Sequence, residues 1–323
     1  MRKHARTVLS SALIAICSIS PAIVHAQDYP ASSVRLVVPY AAGGATDVLG
    51  RLLAQQLSAT WGKPVVVDNK LGASGMIGGE LVARAAPDGY TLLLVVPGHI
   101  INPSIFAKSP YDVLSDFTAV TQVATSPWLV VASTSVPATT LQELIALARS
   151  QPGKLAFGSS EPSTRLAGEL FRQMAGVDLL SIPYKGGAQV MADMLGGQIQ
   201  LAFTTSLTVG PLYGSGKLRV LAVASKTRSP AMPEVPTAAE AGLPGYETGA
   251  WYGLYAPAKT PKDIVAKIQR DTAEVLKRPE VGERLKQIGA TPVGSSPEAF
   301  AAFTRSEFAK YARIVRDANI KPE

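Results

Sequence analysis

The chain has 323 residues, 31 Lys and Arg against 24 Asp and Glu, a formal net charge of +7 and a single cysteine, Cys17. No run of Lys or Arg is interleaved with aromatics, so the basic balance argues against nucleic acid and suits a small anionic ligand. One cysteine supports neither a disulfide framework nor a thiolate metal site, and about 300 residues suffice for two domains with cores of their own.

Residues 1–26 read as a secretory signal. Arg2, Lys3 and Arg6 precede an apolar stretch at 8–24, and Val24-His25-Ala26 ends on a small residue, so cleavage after Ala26 is expected. Ser10, Ser11, Ser18, Ser20 and Pro21 interrupt the apolar stretch and make it a poor permanent span. Cys17 follows Ile16, where a lipoprotein signal needs a small residue. Loss of the three basic residues, with no acid removed, lowers the charge from +7 to +4.

The next elements alternate strand and helix. Residues 34–38 are a short β-branched strand stopped by Pro39, and Thr46 or Asp47 is placed to cap a helix carrying Val48, Leu49, Leu52, Leu53, Leu57 and Trp61 and ended by Gly62. Between strand and helix lie Tyr40, Ala41, Ala42, Gly43 and Gly44, a loop so poor in side chains that an anion could approach backbone N–H groups at the helix's positive end. A plain tight turn is the other reading. A strand at 65–67 leads into the glycine-rich 71–79, which matches neither G-x-G-x-x-G nor the phosphate loop and so gives nucleotide binding little support. A helix at 80–85 and a strand at 91–96 follow. That strand empties into a loop at 97–103 holding His99, the only histidine after residue 26. A lone histidine is more often packed than ligating, yet a strand end brings it near the expected site.

A second series begins near Ser126: helix 141–148, strand 155–158, helix 166–175, strand 179–182, helix 189–195, and strands 199–203 and 218–224. Ser159, Ser160, Ser163, Thr164 and Arg165 crowd one strand-to-helix junction, and Tyr184, Lys185, Gly186 and Gly187 another; Thr204 and Thr205 follow a third strand. Several strand ends rich in anion donors point to a ligand site, although hydroxyls at a helix start also serve as caps. A strand at 246–255 leads back, and helices at 261–277, 281–288 and 297–314 are expected to pack on the first domain. The expected division is 27–124 with 248–323 as one lobe and 125–247 as the other.

Catalysis would need a nucleophile with a base, an acid–base pair or a metal. No Gly-x-Ser-x-Gly elbow is present, and capping accounts for Asp47, Asp88, Glu161 and Asp193. N–H groups, hydroxyls and cationic side chains bind rather than catalyse, so neither enzyme activity, metal nor cofactor is expected.

Tyr29-Pro30, the stretch 37–47 reading VVPYAAGGATD, Pro87-Asp88-Gly89-Tyr90-Thr91, Pro183-Tyr184-Lys185-Gly186-Gly187 and the stretch 236–242 reading PTAAEAG occur in order along the chain. Together they resemble the solute-binding receptors of tripartite tricarboxylate transporters, the TctC-like or Bug family. The resemblance implies an α/β, type II periplasmic-binding (Venus flytrap) fold, with two lobes, each a central sheet flanked by helices, closing on a small organic carboxylate. It also implies a periplasmic monomer that delivers its ligand to a membrane permease, and binding through backbone groups and ordered waters at the lobe loops. The expected ligand residues are those named at the four junctions above except Lys185 and Gly186, with Asp47, His99 and, at the crossing, Ser126. Arg165 stands where the family often shows a histidine before leucine; it either pairs with Glu161 or faces the cleft to take a second carboxylate. A secreted isomerase with His99 as base, and a sensor lobe serving a membrane kinase, are the alternative readings.

Overall fold

The computed structural model describes residues 29–184, 186–287, 289–317 and 320. The expected signal segment, Lys185 and the last residue of the expected helix 281–288 lie outside them.

The chain builds the first sheet, leaves it for the second and returns. Strand β1 (Val34–Val38), helix α1 (Ala45–Trp61), β2 (Val65–Asn69), α2 (Met76–Ala83), β3 (Thr91–Val95), α3 (Gly98–Ile105) and β4 (Phe117–Pro127) come first. The second sheet takes β5 (Leu129–Ser133), α4 (Leu141–Ser150), β6 (Ala156–Ser159), α5 (Pro162–Ala175), β7 (Leu180–Pro183), α6 (Gly187–Leu195), β8 (Leu201–Thr204), α7 (Ser206–Val209) and β9 (Leu218–Val223). The return adds β10 (Gly249–Pro257), α8 (Lys262–Leu276), α9 (Pro279–Gln287), β11 (Thr291–Pro292) and α10 (Pro297–Asp317).

The strand orders are β11-β4-β10-β3-β1-β2 and β7-β6-β8-β5-β9. Strands β1, β2 and β3 run parallel, as do β6, β7 and β8, while β10 runs antiparallel to β3 and β5 to β8. Parallel strands need helical crossovers that cover both faces, which is why β1 is apolar almost throughout. Val34, Leu36 and Val38 face a core shared with Leu49, Leu53 and Leu57 of α1, and Val37 faces a second core with Leu93, Val95, Ile100 and Ile101. Each such side chain stabilises the fold by about 1.5 to 3 kcal/mol when fully buried. In the second sheet α5 lies so close to β6 that a Cβ on Gly168 would sit 2.3 Å from the Phe157 ring. This is a mixed α/β fold of two sheets, each flanked by helices.

Several elements differ from expectation. Residues 98–105 form a helix, not a loop, because Ile100, Ile101 and Ile105 are all buried on the first sheet and this outweighs the interior Pro103. The long β4 was not foreseen, and it pairs with β10 along most of its length. The C-terminal part contributes its own strand, the two-residue β11 against β4, and α8 and α10 pack on β4.

The chain passes between the sheets at Trp128 and between Val223 and Gly249. Trp128 N donates to Thr248 O (3.1 Å), Thr248 N to Ala224 O (3.0 Å) and Ala224 N to Trp128 O (2.8 Å), so the passages are tied together.

Candidate functional site

Parallel strands place all their C-terminal ends on one edge, and there the helices that follow present their N-termini. In the first lobe this edge carries the loops after β1 and β3; in the second it carries those after β6, β7 and β8. The edges meet: a Cβ built on Gly98, at the start of α3, would lie 3.8 Å from Glu161 Oε2, 3.9 Å from Tyr40 Oη and 4.0 Å from Pro162 Cδ. The lobes also touch where a Cβ on Gly289 would fall 2.1 Å from Ser206 Cβ.

Residues 41–44 are exposed and end on Gly44, the N-cap of α1, which supplies no side-chain cap. Neither Thr46 nor Asp47 caps the helix as expected: the helix starts at Ala45, leaving both buried within its first turn. Asp47 instead props the loop from beneath. Its Oδ2 accepts from Gly43 N and Arg51 Nε, each at 2.9 Å, and its Oδ1 from Asn69 Nδ2 at 3.0 Å. Burial alone would raise this carboxyl, but the hydrogen bonds from Arg51, Gly43 and Asn69 outweigh it and hold it below the usual range. Gly43 has φ +79°, so the turn that exposes the loop requires a glycine. What remains open is the first-turn N–H groups of α1.

The loop after β7 repeats this design. Gly186 caps α6 without a side chain, Gly187 opens the helix, and a Cβ on either would meet nothing within 4 Å. Tyr184 is turned aside, its hydroxyl donating to Asp193 Oδ2 at 2.7 Å.

The loop after β6 is built differently. Thr164 Oγ1 accepts from the N–H groups of Ser160 (3.0 Å) and Glu161 (3.2 Å), and Pro162 at the first helical position has no N–H to offer. Ser159 is buried at the end of β6, and Arg165 is half-buried one turn into α5. Ser163 is 1% exposed, with its hydroxyl beside the Glu161 carboxyl. Thr204 ends β8, and Thr205, buried, caps the one-turn α7 with its backbone.

Ser126 and His99, also expected at the ligand, are likewise occupied elsewhere. Ser126 Oγ donates to Gly289 O at 2.9 Å, fastening the crossing to the C-terminal part. His99 is 2% exposed and packs among Tyr111, Phe117 and Tyr255, with Nδ1 3.1 Å from Tyr111 Oη. Burial pushes its pKa down to about 3, so the ring is neutral. Helix α3 turns this side chain into the core, which a loop would not have done. Among the described residues no three His, Cys, Asp or Glu side chains converge to hold a metal.

A family model for the tripartite tricarboxylate transporter family receptor, TctC, matches residues 49–320. The chain belongs to this family. It is 36% identical over 306 residues to the BugT protein of Bordetella pertussis, covering 92% of this receptor and 93% of that one. Among solved structures, a Rhodopseudomonas palustris protein with adipate is 37% identical with a TM-score of 0.87, over 92% of this receptor and all of the other. The periplasmic binding protein BugD is 35% identical with a TM-score of 0.84, over 91% and 100%. MatC of Rhodopseudomonas palustris with bound malate is 32% identical with a TM-score of 0.81, over 89% and 100%.

One residue of the receptor's cleft escaped the sequence reading. Glu161 is the N-cap of α5, and an acid at a helix start is explained by capping alone, so nothing local marks it. Only the lobe contact shows its carboxyl against Gly98 and Tyr40 of the opposite lobe. Burial raises its pKa to about 7, with Ser163 pulling the other way. Burial first, and then the Glu161 charge, raise Tyr40 and Tyr252.

Proposed function

We propose that this protein is a periplasmic solute-binding receptor that captures a small organic carboxylate between its lobes and delivers it to the permease of a tripartite tricarboxylate transporter. The carrying observation is the N-terminus of α1: a helix of 17 residues opening on an exposed, side-chain-free loop, without a side-chain cap, at the edge where the lobes meet. A carboxylate there takes N–H donors at the positive end of the macrodipole, directly or through water. The adipate and malate held by its solved relatives support the same ligand class.

In this reading Tyr40, the loop 41–44 and the N–H groups of Ala45 and Thr46 hold the carboxylate. Ser160, Ser163 and Gly187 close on it from the other lobe, and Arg165, Thr204 and Thr205 border that face. The lobes divide at the Trp128 and Thr248 passages, and residues 1–26 are removed on export. His99 gives an isomerase no base that a ligand can reach, since it is 2% exposed and sealed among Tyr111, Phe117 and Tyr255.

A ligand that binds only the folded state stabilises it by RT ln(1 + [L]/Kd), about 2.7 kcal/mol at a hundredfold excess over Kd. A melting-temperature screen of ligand-stripped protein against mono-, di- and tricarboxylates, acidic amino acids and aromatic acids is the test. At least one carboxylate should raise the melting point; a flat screen would refute the reading.

A further inference from the structure

The second lobe brings an acid of its own into the cleft. Glu161 Oε2 and Tyr40 Oη converge beside Gly98, at 3.8 and 3.9 Å from the point a Cβ there would occupy. Glu161 is half-buried, so its surroundings are poorly hydrated. Beside it lies the buried Ser163, whose hydroxyl favours the charged carboxyl against the effect of burial. The groups reaching it from other elements are the hydroxyls of Tyr40 after β1, Tyr252 on β10 and Tyr311 on α10, none of which carries charge near neutral pH. On its own helix Arg165 lies one turn further on.

The α1 N-terminus is a receptor for an anion, whereas the α5 N-terminus already holds one that belongs to the protein. We infer that Glu161 sets the ligand class: the bound molecule presents a carboxylate to the α1 loop and a hydrogen-bond donor, an ammonium above all, to Glu161. A second carboxylate directed at Glu161 puts two like charges in a poorly hydrated site, and one of them must take up a proton before both fit. An ammonium in the same place makes a charge-assisted hydrogen bond. Specificity then arises as much from repelling the wrong far end as from holding the right one. This inference rests on the receptor reading above and narrows it.

The test is calorimetry at pH 8, above the value of about 7 to which burial raises Glu161, on wild type and Glu161→Gln. The probes are unbranched ω-amino acids with three to six carbons and the α,ω-dicarboxylates of equal chain length. Gln keeps the length and the capping oxygen, and an unchanged circular dichroism spectrum confirms that the variant folds. Wild type should bind at least one ω-amino acid about tenfold or more tighter than its matched dicarboxylate, and Glu161→Gln should shrink or invert that ratio by about the same factor. An equal ratio in the two proteins, or a wild type that prefers the dicarboxylate, would overturn the assignment while leaving a carboxylate receptor standing. Absence of binding by both series, in a protein that also fails the carboxylate screen, would overturn the receptor reading and this inference with it.

Discussion

Helices α1 and α5 both begin at the C-terminal end of a buried parallel strand, one in each lobe, and they treat their N-termini in opposite ways. At α1 the cap is glycine, the loop before it is almost bare, and the acid of the first turn, Asp47, faces inward to Gly43, Arg51 and Asn69. At α5 the cap is Glu161, the first position is Pro162, and Thr164 consumes the N–H groups just before the helix. Identical placement in the fold therefore does not make two equivalent anion sites. What decides is what stands at the cap itself: a carboxyl followed by Pro162, which has no N–H, at α5, and a bare glycine with no side-chain cap at α1.

The largest effect should come from removing the prop under the open loop. Asp47 is 2% exposed and serves three donors, so Asp47→Ala leaves Gly43 N, Arg51 and Asn69 without it. A loss of roughly 1 to 3 kcal/mol of stability is expected, read from denaturant unfolding, with ligand affinity falling as the loop loses its shape. Preserved affinity would show that the 41–44 loop is not the receptor.

Gly44→Val asks about the N–H groups themselves. Gly44 has φ −74° and ψ 167°, which any residue adopts, and its Cβ would stand 3.1 Å from Ala41 O, so the fold should survive a small adjustment. Bulk there screens the N–H groups, and loss of one or two charge-assisted contacts should weaken a carboxylate by about ten- to a hundredfold in calorimetry.

Next is the pH dependence of the second loop. Glu161 has its pKa raised from 4.5 to about 7 in the folded protein, so folding favours its protonated form. The stability this gives is fully present below about 4.5 and is lost as pH rises through about 7. Wild type should lose a few degrees of melting temperature across that window relative to Glu161→Gln. Parallel curves would mean that the carboxyl is better hydrated than its position between the lobes implies.

The smallest effect belongs to Thr164→Val, which deletes the acceptor for Ser160 and Glu161. About 1 kcal/mol of stability should go, with affinity nearly unchanged, because that loop is occupied by its own side chains.

Much of this contrast was legible in the sequence. The strand at 34–38, its proline stop and the bare residues after it are local signals, and so are the hydroxyl-rich and glycine-rich junctions of the second lobe. The rest depended on tertiary context. Pro97, Gly98 and Pro103 suggested a loop, but burial of three isoleucines drives a helix there, and that helix carries His99 into the core instead of to the ligand. Ser126 was expected at the ligand because it stands at the crossing, yet its partner Gly289 lies 163 residues away. Glu161 read as a cap and is one, and its second role exists only because the two edges meet.

The most direct measurement is a crystal structure of the receptor with a carboxylate that raises its melting point. Carboxylate oxygens should lie within hydrogen-bond distance, directly or through one water, of N–H groups in the 41–46 stretch, with the α5 side of the cleft facing the ligand's other end. A carboxylate seated on the α5 N-terminus, with the 41–44 loop untouched, would contradict this placement.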